Sequence, residues 1–127
     1  MDKIVFLGTG AGMPTQERNV PALAIILKSG SEFWLFDCGE GTQRQMLQAN
    51  LKFSRLSNIF VSHLHGDHTF GLPGLLATRG LLGVKKPLNI FGPVGLDSFL
   101  KNNLDYTYTH IPYPYHFNPI EKEKFLT

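Results

Sequence analysis

A single cysteine, Cys38, stands among 127 residues. No intrachain disulfide can form, and no metal knuckle built from cysteines is available. A lone thiol of this kind is expected to be buried and reduced, as in a cytoplasmic protein. Long apolar stretches are also missing. The opening "MDKIVFLGTG" holds only a short apolar run, far below a signal peptide or membrane span, so no membrane partner is expected. Basic blocks are missing too: the formal charge is +2 with Lys and Arg scattered, and no nucleic-acid stripe announces itself. Repeats, linkers and low-complexity tracts are absent from the sequence. What is left is an ordinary globular composition, 43% apolar and 17% charged, in a length that suits one smallish domain.

The pattern along the chain alternates short strands and helices. "KIVFLG" reads as a strand closed by glycine. "ALAIILK" (Ala22–Lys28) and "EFWLFD" (Glu32–Asp37) flank the turn "SGS" and read as a hairpin. A short helix is expected over Glu40–Asn50, with Met46 and Leu47 facing inward. A buried strand follows at Asn58–His63, then a helix over Leu72–Gly83 with Pro73 in its first turn. "PLNIFG" is a further strand and Pro93–Leu104 a further helix. The Pro- and aromatic-rich tail is expected to hold one irregular strand. Strands first, then strands alternating with helices, argue for an α/β layered domain with a mixed sheet.

"FLGTGAGMP" imitates a dinucleotide-binding fingerprint. The place for the third glycine is Met13, followed by Pro14 and a polar loop, so nucleotide binding is set aside. The better reading is a tight loop whose backbone passes close to a site or to another loop. Phe33, Trp34 and Phe36 could stack on bases, but their place in a strand favours core packing.

The chemistry concentrates in "FVSHLHGDHTFG". His63, His65, Asp67 and His68 fall within six positions. At the end of a strand, residues two apart share a face, so His63 and His65 would aim together. Gly66 would let the chain turn sharply, leaving Asp67 and His68 on the turn or at a helix start. Imidazole and carboxylate suit Zn²⁺, with Mn²⁺ or Fe²⁺ as plausible substitutes. Two such ions about 3.5–4 Å apart clamp a hydrolytic reaction and need no serine or cysteine nucleophile.

With these residues in view, the chain resembles the metallo-β-lactamase fold through "HLHGDH", its His-x-His-x-Asp-His signature. More narrowly, it is similar to the N-terminal part of ribonuclease Z, the endonuclease that trims tRNA 3′ ends. The segments carrying this are "FLGTGAGMPTQERNV", "WLFDCGEGTQRQ", "IFVSHLHGDHTFGLPGLLATR" and "IFGPVGL". The resemblance implies an αββα sandwich, of which residues 1–127 would be mainly the N-terminal half. It implies His63 and His65 on one zinc, Asp67 and His68 on the other, and Asp67 as a proton-transfer residue. Asp37 would orient a histidine ligand by its other ring nitrogen. Precursor tRNA is the implied substrate, attacked at a phosphodiester by activated water, and a homodimer the implied full-length assembly. Arg18, in the glycine-rich loop, could meet a substrate phosphate.

The family's second half supplies further metal ligands and a tRNA-gripping arm, and nothing here matches them. His110 and His116 are expected to be surface or packing residues. Three readings follow: a fragment or shortened ribonuclease Z, a short chain that completes its cage by dimerisation or with a separate second chain, or a metal-poor relic or binding module without catalysis. Another hydrolase of the same fold, such as a phosphodiesterase, lactonase or arylsulfatase, is the alternative activity. A half-sandwich would also leave one apolar sheet face uncovered.

Overall fold

The computed structural model describes residues 2–16, 18–28 and 30–121. Among the described residues, six strands form one mixed sheet whose order in space is their order in the chain. β1 (Lys3–Gly8), β2 (Ala22–Ile26) and β3 (Phe33–Phe36) are antiparallel neighbours. β4 (Leu56–Phe60), β5 (Leu88–Gly92) and β6 (Tyr115–Pro119) continue from β3 in parallel. Parallel neighbours need crossovers. These are α1 (Thr42–Gln48), then α2 (Gly66–Thr69) with α3 (Leu72–Leu81), then α4 (Leu96–Tyr106). Each crossover steps the same way along the sheet, and the right-handed rule then sends every helix to one face.

Burial follows that rule. Ala24, Leu35, Ile59 and Ile90, one from each of four successive strands, are fully buried. They form one cluster with Met46, Leu75, Leu76 and Leu100 from the helices. The opposite face carries a row in register across five strands: Phe6, Leu23, Phe36, Phe60 and Phe91. Phe60 stacks on Phe36 and on Phe91, each at 4.8 Å between ring centroids. Phe6 is exposed and the other four are half-buried. The apolar face expected of a half-sandwich is therefore present.

Several expectations change. Of the aromatics in β3, only Phe33 enters the core; Trp34 and Phe36 stand half-buried on the other face, with Trp34 tilted against Phe60. Strand β3 is apolar on both sides, so its residue types do not say which side is which. Met46 is buried, but Leu47 is 61% exposed, because adjacent helical residues lie about 100° apart and cannot share a narrow face. Helix α1 starts at Thr42, after Gly41 at φ 81, rather than at Glu40. Helix α4 starts at Leu96, after Gly95 at φ 107, rather than at Pro93. Strand β4 runs over Leu56–Phe60, not Asn58–His63, so His63 and His65 lie in the loop beyond it and His68 in α2. A 3₁₀ turn at Phe53–Arg55 precedes it. The tail strand β6 pairs regularly with β5 over its whole length. Position 29 of the expected turn and residues 122–127 of the tail lie outside the described residues.

Two buried polar side chains tie α3 to β4 and to the segment before β6. Arg79, fully buried, donates to the Leu56 carbonyl at 3.2 Å and lies over the Tyr113 ring. Tyr113 donates its hydroxyl to the Leu76 carbonyl. The Cys38 thiol is buried, and desolvation pushes its pKa up to about 12. Since the thiolate is the reactive form, Cys38 should resist maleimide in the native chain and label fully in denaturant. Rapid native labelling would contradict this placement.

Candidate metal centre

The candidate ligands follow the C-terminal end of β4, His63 and His65 on a loop and Asp67 and His68 in α2, with Asp37 beside them at the end of β3. Asp37 closes β3 with φ 63, a left-handed conformation that short polar residues tolerate better than others. Its amide donates to the Phe60 carbonyl at 2.7 Å. Its carboxylate accepts from the Ser62 amide at 2.7 Å. The end of β3 is thereby fastened to the end of β4, and the chain after Ser62 is released into the histidine loop.

That loop and α2 bring three of the expected ligands together. The donor atoms of His63, Asp67 and His68 all lie within 4.8 Å of one another. The His63 and His68 rings are 3.8 Å apart, and His68 Nε2 lies 3.4 Å from Asp67 Oδ2. His65 stands outside that trio, its ring 4.8 Å from that of His63 and edge-on to it. The paired faces expected of a strand do not arise, because β4 has already ended; the loop sets the ring directions instead. Two imidazoles and a carboxylate, with a third imidazole alongside, form a donor set that fits a zinc-class ion.

Backbone from elsewhere supports the cluster. The Gly12 amide donates to Asp67 Oδ2 at 3.1 Å. This bond, with nearby His68 and His63, holds the Asp67 carboxyl below the usual carboxylate range, the form a metal ligand needs. The glycine-rich loop thus approaches the site by its backbone. Cys38 donates its amide to the His68 carbonyl, and Gly71 donates to the Cys38 carbonyl. Such close approach requires Gly39 and Gly71: a Cβ on Gly71 would stand 2.1 Å from the Gly39 carbonyl oxygen. Gly66 serves differently from the expected sharp turn. It opens α2, and the Phe70 ring lies where its Cβ would be.

Asp37 Oδ2 lies 2.8 Å from His68 Nδ1. The nitrogen that Asp37 holds is therefore the one turned away from the trio. Arg18 lines an open cleft of about 540 Å³ with Phe6, Thr9, Gln16, Asn19 and Gln45; none of the four cluster residues lines it. His110 and His116 are exposed and outside the trio. Sequence reasoning passed over Ser62 and the glycine pair 39/71. A hydroxyl directly before the first histidine was the available signal for Ser62, and nothing local marked the pair.

Comparison with known proteins agrees with this fold. A family described as "Anti-Pycsar protein Apyc1" matches residues 2–110. The chain belongs to that family. It is also 50% identical over 124 residues to ribonuclease Z of Prochlorococcus marinus (strain MIT 9312), covering 98% of this chain and 39% of that protein. The structure of the short form of human tRNase Z superposes with a TM-score of 0.85 at 43% identity, covering 97% of this chain and 46% of that one. A metallo-β-lactamase fold protein from Bacillus subtilis matches at a TM-score of 0.67 and 19% identity, over 92% of this chain and 45% of its own, a likeness of fold. The resemblance to ribonuclease Z read from "DCGEGTQ" and "HGDHTFGLPGLL" thus extends over nearly the whole chain. The chain spans about two fifths of the Prochlorococcus relative's length.

Proposed function

We propose that residues 1–127 form the N-terminal portion of a metallo-β-lactamase-like domain that acts as a metal-dependent endoribonuclease of ribonuclease Z type, removing 3′ trailers from precursor tRNA. The observation that carries this reading is the His63–Asp67–His68 trio, held by Asp37, in a chain this close to human tRNase Z. His63, His65, Asp67 and His68 would hold zinc, two ions per complete site, with manganese or iron as substitutes. When bound, such ions supply Lewis acidity toward a phosphodiester oxygen and make water nucleophilic near neutral pH.

The chain's own residues do the rest. Asp67 holds a carboxylate oxygen against the Gly12 amide and beside His68, where it can take or return a proton at Oδ2. Asp37 fixes the His68 ring so that Nε2 faces the trio. Arg18, in its cleft, is proposed to meet a backbone phosphate. The substrate-bearing assembly is proposed to be a homodimer in the cytoplasm; the buried free Cys38 suits a reducing compartment. Among the described residues, no helix is long and apolar enough to cross a membrane.

A chimera tests the proposal: this chain replaces the matching segment of the Prochlorococcus relative. Loaded with zinc or manganese, it should cut a 3′-extended pre-tRNA after the discriminator base, leave a 3′-hydroxyl, and stop on chelation. A folded, metal-loaded chimera that leaves pre-tRNA intact would sink the reading. A second reading, another hydrolase of the same fold, is favoured by the family description, which does not name a ribonuclease. Turnover of a chromogenic phosphodiester without pre-tRNA cleavage would select it. Tight RNA binding indifferent to chelation would select a non-catalytic module.

A further inference from the structure

Ser62 stands between Asp37 and the first histidine of the cluster. Its hydroxyl oxygen lies 3.0 Å from each carboxylate oxygen of Asp37. The same oxygen lies 3.0 Å from His63 Nδ1. It lies 3.5 Å from His68 Nδ1, a nitrogen that already has Asp37 at 2.8 Å.

The hydrogen bookkeeping leaves one arrangement. A carboxylate only accepts, and a hydroxyl has one hydrogen and two lone pairs. With Asp37 as carboxylate, the hydroxyl hydrogen goes to Asp37. The bond to His63 then needs its hydrogen on Nδ1, donated to Ser62 Oγ. His68 donates from Nδ1 to Asp37 directly. Both imidazoles are left with a lone pair on Nε2, the form that ligates a metal.

We infer that Ser62 is a positioning residue: it relays Asp37 to His63, so that one carboxylate sets the tautomer of two histidine ligands, one directly and one through a hydroxyl. This deepens the proposed metal site and rests on that reading for its purpose, though not for its geometry. Asp37 can serve both rings because its left-handed backbone turns the carboxylate back over the start of the histidine loop, where the Ser62 amide also anchors it. The relay is specific to a hydroxyl at this place. Alanine removes it without touching a ligand, and threonine keeps it.

The test has two arms, both on the full 127-residue chain. The first is ¹⁵N NMR of the histidine rings, metal-free, recorded on the alkaline plateau of the ring shifts. The expected parent spectrum has His63 and His68 both protonated on Nδ1. Ser62→Ala should release His63 to a mixed tautomer and leave His68 unchanged. Ser62→Thr should restore His63, and Asp37→Asn should disturb both rings. A His63 tautomer that is the same in Ser62→Ala as in the parent would overturn the relay, as would a parent His63 protonated on Nε2. The second arm is a zinc titration: Ser62→Ala should weaken binding about 10–100-fold, with recovery in Ser62→Thr. Unchanged affinity would overturn the relay's role toward the metal. A parent chain that binds no zinc but shows the expected tautomers would overturn these four residues as a sufficient metal site and leave the relay standing.

Discussion

Asp67→Ala in the chimera should lower pre-tRNA cleavage by at least about 10³-fold, at the strong end of what losing a positioned proton-transfer group costs, with the metal ligand lost as well. The carboxylate is the acceptor for the Gly12 amide and the near neighbour of His68 Nε2, so no other side chain of the trio can replace it in both roles. The fold should hardly notice. Asp67 is not in the core, and the Gly12 amide, freed in an exposed loop, can bond to water instead. A thermal midpoint within a few degrees of the parent, beside single-turnover cleavage reduced to background, is the expected pair of results. Cleavage retained within about tenfold would remove Asp67 from the catalytic machinery and point to uniform binding instead.

Gly71→Ala should destabilise the chain by about 3 kcal/mol or more, the upper range for forcing one extra carbon into a packed site. Gly71 has φ −84, which alanine adopts freely, so the cost is purely steric. The added carbon would meet the Gly39 carbonyl oxygen at 2.1 Å and its carbon at 2.9 Å, both backbone atoms that cannot swing aside. Gly74→Ala is the matched control. Its added carbon would meet only the end of the Gln43 side chain, at 3.3 Å, and a helical position gains up to about 1 kcal/mol from the exchange. Urea denaturation should separate the two variants clearly. If Gly71→Ala unfolds within about 1 kcal/mol of the parent, the glycine pair does not clamp the two loops. Because that clamp also spaces Asp37 from His68, zinc affinity should fall alongside stability.

The candidate cluster stood out as four residues in one stretch, of which the structure brings His63, Asp67 and His68 together and leaves His65 alongside. The layered α/β architecture was legible too, because short strands and helices differ in hydrophobic period. The directions of the rings were not. They depend on where β4 stops, and at that point Asp37, 31 positions before His68, turns left-handed and binds across to Phe60 and Ser62. A sequence window around the histidines contains none of that. The contact between Gly39 and Gly71 is equally remote along the chain. Trp34 and Phe36 were misassigned for a different reason: when both faces of a strand are apolar, alternation carries no sign.

The sheet order has a consequence for how the protein assembles in time. Every strand pairs with the strand made just before it. The parallel pairs must wait for their helical crossovers, and such pairing is slow, yet the steps can follow the order of synthesis. The loops bearing Asp37 and the trio meet as soon as β4 docks on β3, ahead of β5 and β6. On a ribosome, the ligand-bearing corner could be complete while the later strands are still being synthesised. During that interval the face bearing Phe36 and Phe60 is open to whatever apolar surface reaches it first. The order of synthesis therefore protects the chemistry early and leaves the aromatic face as the part of the molecule most in need of a timely partner.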